Sequence, residues 1–160
     1  MDTQSPKINM TVTRVFDAPV EQVWKAWSDP ALVMRWWGPA GFTAPLARME
    51  FREGGTSLVC MRTPDGHDLY NNWTYREIVP WQRITFVSTF ADQDGINIHP
   101  SQAGLPEAIP PEVPHEVTFR ALDANHTEVT VTEYGYPSEE VAALSRSGME
   151  QCLDKMEKIF

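Results

Sequence analysis

The residues with chemistry to offer are few, and two of them fall on one strand face. Alternation through His115–Leu122 and Glu128–Tyr134 puts Val117, Phe119, Val129 and Val131 on an apolar side. The same parity puts His115 and Glu133 there too. A loop of about three to five residues at Asp123–Asn125 sets Glu133 opposite His115 or Val117. A buried His–carboxylate pair can act as an acid–base device, because the carboxylate raises the imidazole pKa and holds one tautomer. It can equally be a satisfied polar pair at the wet end of a cavity, and this reading is preferred because no nucleophile or metal set accompanies it. Arg14 shares the parity of Val12 and Phe16, so it points inward and needs a carboxylate or a ligand anion; Glu133, Glu77 and Glu50 are the candidate partners.

Ser88 and Cys60 lack the G-x-S-x-G turn or any other nucleophile signature and read as pocket or core residues. Cys152 falls in an apolar helix stripe and reads as a small hydrophobe. His67, His99, His115 and His126 share no short spacing with either cysteine, so the sequence holds no zinc pattern. The chain therefore carries no catalytic constellation, and neither a metal nor a cofactor is expected. Trp24, Trp27, Trp36 and Trp37 could form a ligand box, but such residues are more often core. Consecutive helical positions differ by about 100°, so Trp36 and Trp37 cannot both face the core, and one of them is expected to line a cavity mouth.

The elements that position these residues read clearly. Residues 1–7 are polar, carry Pro6 and read as a flexible tail, leaving 8–160 as one domain. Ile8–Phe16 alternates as a half-buried strand. Asp17-Ala18-Pro19 then suits a helix start, and Val20, Val23, Trp24 and Trp27 follow at i, i+3, i+4 and i+7. Asp29-Pro30 opens a second short helix ending at Trp36-Trp37 before Gly38-Pro39. Strands are expected over Phe42–Glu53, Thr56–Thr63, Asp68–Val79, Arg83–Phe90, His115–Leu122 and Glu128–Tyr134. Between them, Ala91–Pro114 loses period and carries five prolines, an irregular excursion that acts as a lid or as an interface. Ser138 caps a last helix whose stripe is Val141, Leu144, Gly148, Met149, Cys152, Leu153, Met156 and Ile159. One long helix covers seven antiparallel strands only if the sheet curls around it.

The net charge of −9, from 22 acidic against 13 basic residues, argues against nucleic acid or an anionic membrane, both of which need clustered Lys and Arg. No apolar run resembles a signal peptide or reaches the length of a membrane span, so a cytoplasmic location without membrane insertion is expected. Edge strands protected only by charge and Pro make a homodimer one of the expected assemblies.

The run Arg14-Val15-Phe16-Asp17-Ala18-Pro19, then Val23–Pro30, then Arg35-Trp36-Trp37-Gly38-Pro39 resembles the activator-of-heat-shock-protein-90-ATPase homologue family. Glu53-Gly54-Gly55, Met61–Gly66, Tyr75–Pro80 and the closing Gly148–Met156 block resemble it as well. That family lies in the START-like, or SRPBCC, superfamily. The resemblance implies an α+β helix-grip fold with a curved seven-stranded antiparallel sheet around a long C-terminal helix, two short helices after the first strand, and an internal cavity. Many members carry Trp after the helix glycine where this chain has Met149, which implies a differently shaped cavity wall. The expected function is to bind a hydrophobic or aromatic small molecule. Trp36, Trp37, Trp73, Tyr75, Phe86, Ser88, His115, Phe119, Glu133, Leu144, Gly148 and Met149 are the candidate ligand-binding residues. A protein-interaction or chaperone-regulating domain and a cyclase- or lyase-type enzyme using the same cavity are the alternatives.

Overall fold

A computed structural model describes residues 7–160. Of the expected N-terminal tail, residues 1–6 lie outside the described residues, and Lys7 is exposed. The elements are β1 (Ile8–Phe16), α1 (Val20–Ser28), α2 (Pro30–Trp36), β2 (Thr43–Arg48), β3 (Thr56–Arg62), β4 (Asp68–Val79), β5 (Arg83–Ala91), a 3-10 turn (Pro100–Ala103), β6 (Glu112–Asp123), β7 (His126–Tyr136) and α3 (Glu139–Glu157). The strands form one seven-stranded sheet in the order β1-β7-β6-β5-β4-β3-β2, with every neighbouring pair antiparallel. Helices α1 and α2 carry the chain from one sheet edge, β1, to the other, β2, and a meander of hairpins brings it back beside β1. Helix α3 then lies over the inward face.

Local signals account for most boundaries. The Asp29 carboxylate accepts a hydrogen bond from the Ala31 amide at 2.9 Å and starts α2, and the Ser138 hydroxyl does the same for the Val141 amide at 3.2 Å in α3. The expected Asp17 cap does not form: Pro19 is the N-cap of α1 and its preset φ does the work. The expected strand Phe42–Glu53 shortens to β2, because the chain turns back on itself between residues 49 and 55. A Cβ at Gly55 would lie 2.4 Å from the Glu50 carbonyl oxygen, so only glycine closes that turn. The irregular excursion narrows to residues 92–111. Pro114 belongs to β6 opposite Val87, at a level where β7 has not begun to pair and no donor is demanded on that side.

The core sits between α1, α2, the second half of α3 and the sheet. Phe16, Val23, Trp27, Val33, Trp36, Leu153 and Met156 are buried in it. Trp24 packs edge-on against Phe119 and Phe51, and Trp27 lies against Trp36. Arg14 does face the helix side, but its partners are not those expected from sequence. Its Nη1 donates to Asp154 Oδ1 at 2.8 Å and Glu157 Oε1 at 3.1 Å. Desolvation works against its charge, yet the two carboxylates outweigh it and raise the guanidinium pKa. This clamp ties the end of α3 to β1.

Candidate functional site

Beyond the core, between the first half of α3, the inward sheet face and the long loop, lies an open pocket of about 560 Å³. Helix α3 contributes Val141, Leu144 and Ser145, and the segment after α2 contributes Trp37, Pro39 and Phe42. The sheet contributes Met61 from β3, Asn71 from β4, Ser88 and Phe90 from β5, Val113 and His115 from β6, and Glu133 and Tyr136 from β7. Leu105, Ile109 and Pro110 close one side from the 92–111 loop.

The loop reaches the mouth because its first half is tied to the outer sheet face. Asn72 Nδ2 donates to the Gly95 carbonyl and to Asn97 Oδ1, each at 2.8 Å, and Thr89 Oγ1 donates to Asn97 Oδ1 at 2.8 Å. Of its apolar residues, Leu105 and Ile109 line the pocket, Ile98 lies in a separate depression beside Tyr70, and Ile96 is exposed. The opposite wall is tied to α3. The Ala40 amide donates to Gln151 Oε1 at 3.0 Å, and Lys155 Nζ donates to the Phe42 carbonyl at 3.1 Å.

One polar network lies in the wall. His115 and Glu133 are directly paired across β6 and β7, and His115 Nε2 lies 2.8 Å from Glu133 Oε2. His115 Nδ1 donates to the Val113 carbonyl at 2.9 Å. Both ring nitrogens therefore face acceptors, so the ring and the carboxyl share one proton and the pair is neutral as a unit. The Tyr136 hydroxyl donates to Glu133 Oε1 at 2.5 Å, and the Ser145 hydroxyl donates to the same oxygen. Burial penalises the Glu133 charge, but His115 and the three hydrogen bonds outweigh it and hold its pKa below the ordinary value. Burial also drives the Tyr136 phenol pKa upward. Phe86 stacks under the imidazole with ring centroids 4.7 Å apart and planes 14° from parallel. Every side-chain nitrogen and oxygen of His115 and Glu133 thus has a partner inside the protein.

Among the candidate residues, Trp37, Ser88, His115, Glu133 and Leu144 line the pocket. Seven others do not, because the core fills the inward face at their level. Trp36 is fully buried and donates from Nε1 to the Ala26 carbonyl at 2.7 Å. Trp73 packs between Trp37 and Phe86, and Tyr75 bonds Ser57 Oγ at 2.8 Å. Phe86 lies beneath His115, and Phe119 lies against Trp24. Met149 is in the core, so its thioether shapes no cavity wall. Gly148 faces Pro39, whose Cγ would lie 3.8 Å from an added Cβ. Leu144 belongs to the stripe of α3 and lines the pocket, yet it is 69% exposed, unlike Leu153 on the same stripe.

Sequence reasoning missed Tyr136, Ser145 and Asn71. Gly135 takes φ +87°, which breaks the strand alternation and turns Tyr136 inward. A Gly between two tyrosines was the available signal. Ser145 falls one turn after Val141 and one turn before Gly148 and Met149, a polar gap in the stripe that marks where the helix leaves the core.

Among the described residues, no cluster of His, Cys, Asp and Glu could hold a metal ion, and no helix is long and apolar enough to cross a membrane. The family model described as Activator of Hsp90 ATPase homolog 1-like protein matches residues 17–160. No curated protein matches the chain. Solved structures do. An Arthrobacter aurescens protein is 26% identical, with 94% of this chain and 84% of that one aligned at a TM-score of 0.77. A Chromobacterium violaceum protein is 22% identical, with 94% and 95% aligned at 0.76. The AHSA1 protein of Silicibacter pomeroyi is 17% identical, with 94% and 96% aligned at 0.75.

Proposed function

The chain belongs to the Activator of Hsp90 ATPase homolog 1-like family, within the START-like (SRPBCC) superfamily, and on that premise we propose that it binds an apolar or aromatic small molecule. Membership alone is compatible with a ligand-binding or a chaperone-ATPase-regulating domain. The observation that favours binding is the open pocket of about 560 Å³ with mainly apolar walls drawn from α3, five strands and two loops. Ligand sites typically enclose about 300–1,000 Å³ with a few placed polar groups. The satisfied state of His115 and Glu133 favours binding over proton-transfer chemistry, since neither offers a free atom to a substrate.

Nile red, an uncharged apolar dye, tests the reading. It should bind saturably at one site, and Val141→Trp, which sets an indole into the pocket volume, should abolish binding while the far-ultraviolet dichroism stays unchanged. A folded protein that fails to bind the dye, or a variant that binds it as well as the parent, overturns the reading. Native mass spectrometry of freshly purified protein should in addition show a co-purified mass.

A further inference from the structure

We propose that the pocket selects uncharged ligands carrying a hydroxyl, such as a phenol or an alcohol, and that Asn71 and Ser88 receive that hydroxyl. The inference rests on the reading of the pocket as a binding site and names the ligand class.

Charge comes first. His115 and Glu133 are the charged residues of the lining, and they neutralise each other. A carboxylate ligand would meet no free cation, because both His115 nitrogens are already held by Glu133 and by the Val113 carbonyl. A cationic ligand fares no better. Glu133 Oε2 is held by His115, and Oε1 already accepts from Tyr136 and Ser145. Moving either ion out of water into such walls is unfavourable without a partner.

The polar atoms left open are Trp37 Nε1, buried without a partner after α2, and two on the neighbouring strands. Asn71 Nδ2 donates to the Thr89 carbonyl at 3.3 Å, which orients the amide and leaves Oδ1 as the free acceptor. Among the described residues nothing donates to that oxygen, and Ser88 Oγ makes no hydrogen bond, although both residues line the pocket. Asn71 stands opposite Phe90, and Ser88 stands opposite Trp73, so the two are diagonal neighbours on one face. Asn71 Oδ1 can only accept, whereas Ser88 Oγ can donate. A ligand hydroxyl satisfies both, giving its hydrogen to Asn71 and taking one from Ser88. The Trp37 and Phe90 rings and Met61 flank the position with apolar surface for the rest of the molecule.

Three naphthalenes of one shape separate the terms: 2-naphthol, 2-methoxynaphthalene and 2-naphthoate, each titrated by fluorescence against the full chain. The parent protein should bind 2-naphthol about tenfold more tightly than 2-methoxynaphthalene, the ratio expected for one buried hydrogen bond made against one left unmade. It should bind 2-naphthoate at least about a hundredfold more weakly than 2-naphthol. Asn71→Leu should bring the naphthol-to-methoxy ratio toward one while leaving 2-methoxynaphthalene affinity within about twofold, whereas Ser88→Ala should weaken both probes by a similar factor, because the methoxy oxygen can still accept from Ser88. Equal binding of all three probes, a ratio that Asn71→Leu leaves intact, or affinities that Ser88→Ala leaves unchanged, overturns the inference while the binding reading stands. If none of the three binds and Nile red is not retained either, the binding reading itself falls and takes this inference with it.

Discussion

The two halves of α3 share one amphipathic stripe, yet one half is sealed and the other stands open. From Met149 onward, Cys152, Leu153 and Met156 are buried against Phe16, Trp36 and the edge of β1. The Arg14 clamp and the Lys155 and Gln151 bonds hold that half down from both sides. Before Gly148, Val141 is covered, Leu144 is exposed and Ser145 bonds a carboxylate. What differs is the opposing wall. The sealed half packs directly on Phe16 and Trp36, whereas the open half stands across a pocket whose walls combine the Trp37, Phe42, Phe90 and Tyr136 rings with Asn71, Ser88 and the His115–Glu133 pair, a set that leaves space between them. An apolar stripe on a helix therefore states what can be buried, and the volume presented across from it decides whether burial happens.

The largest expected effect belongs to the open half. Glu133→Ala removes the acceptor from His115, Tyr136 and Ser145 together and should destabilise the fold by about 3–5 kcal/mol. His115→Phe combined with Glu133→Leu should recover most of that loss, because apolar groups of similar volume then replace the pair. Urea titration of the three proteins decides it. A single variant as stable as the parent would show that the open half does not depend on its polar network.

In the sealed half, Leu153 is fully buried, and Leu153→Ala should cost about 2–5 kcal/mol in the same assay. A cost below about 1 kcal/mol would mean that this half is as loosely packed as the other, and the comparison would break.

Buried groups should also limit stability at both ends of the pH scale, Glu133 at the acid end and Cys152, Tyr75 and Tyr136 at the alkaline end. The Glu133 pKa is depressed in the folded state, so its contribution is present above the ordinary carboxyl value near about 4.3 and is lost as pH falls through the lower folded value. Burial raises Cys152 and Tyr75 to about 12 each, with the Ser57 hydrogen bond opposing the shift at Tyr75. Their contribution is complete below the ordinary thiol and phenol values, about 8.5 and 10, and is lost as pH rises toward 12. Thermal melts across pH should show an acid limb that Glu133→Gln flattens and an alkaline limb that it leaves in place. An acid limb unchanged in that variant would remove Glu133 from the account.

The smallest effect is the sharpest contrast. Leu144→Ala, on the same stripe as Leu153, should change stability by no more than about 0.5 kcal/mol, because the side chain is already in solvent. A loss similar to that of Leu153→Ala would show that the pocket is closed in solution.

Much of this arrangement was legible from local pattern. Alternation and turn signals located every strand, and caps located α2 and α3, because both depend on contacts within a few residues. The His115–Glu133 pairing was legible within one step, because a two-residue connection between β6 and β7 leaves little freedom of register. The sequence left open which of Trp36 and Trp37 would line a cavity mouth; it is Trp37, which follows α2 in extended conformation. The partners of Arg14 were not, because Asp154 and Glu157 approach from a helix some 140 residues away along the chain. Tyr136 was hidden by one left-handed glycine that shifts parity. The pocket residues of the 92–111 loop follow no period at all.

By itself, then, the sequence determined which side chains of the regular stretches point inward, since that depends on the two- and 3.6-residue repeats of the backbone, and it lost them only where Gly135 breaks the repeat. Whether an inward side chain meets the core or an open space was decided only by the tertiary structure. Trp73 and Ser88 are direct cross-strand partners on the same face, yet one is packed into the core and the other lines the pocket. The space between the sheet and α3 is filled at the second half of the helix and open at the first. Its width is set by the summed volumes of residues from both edges of the sheet and from α1 and α2, a quantity that no single stretch of sequence contains.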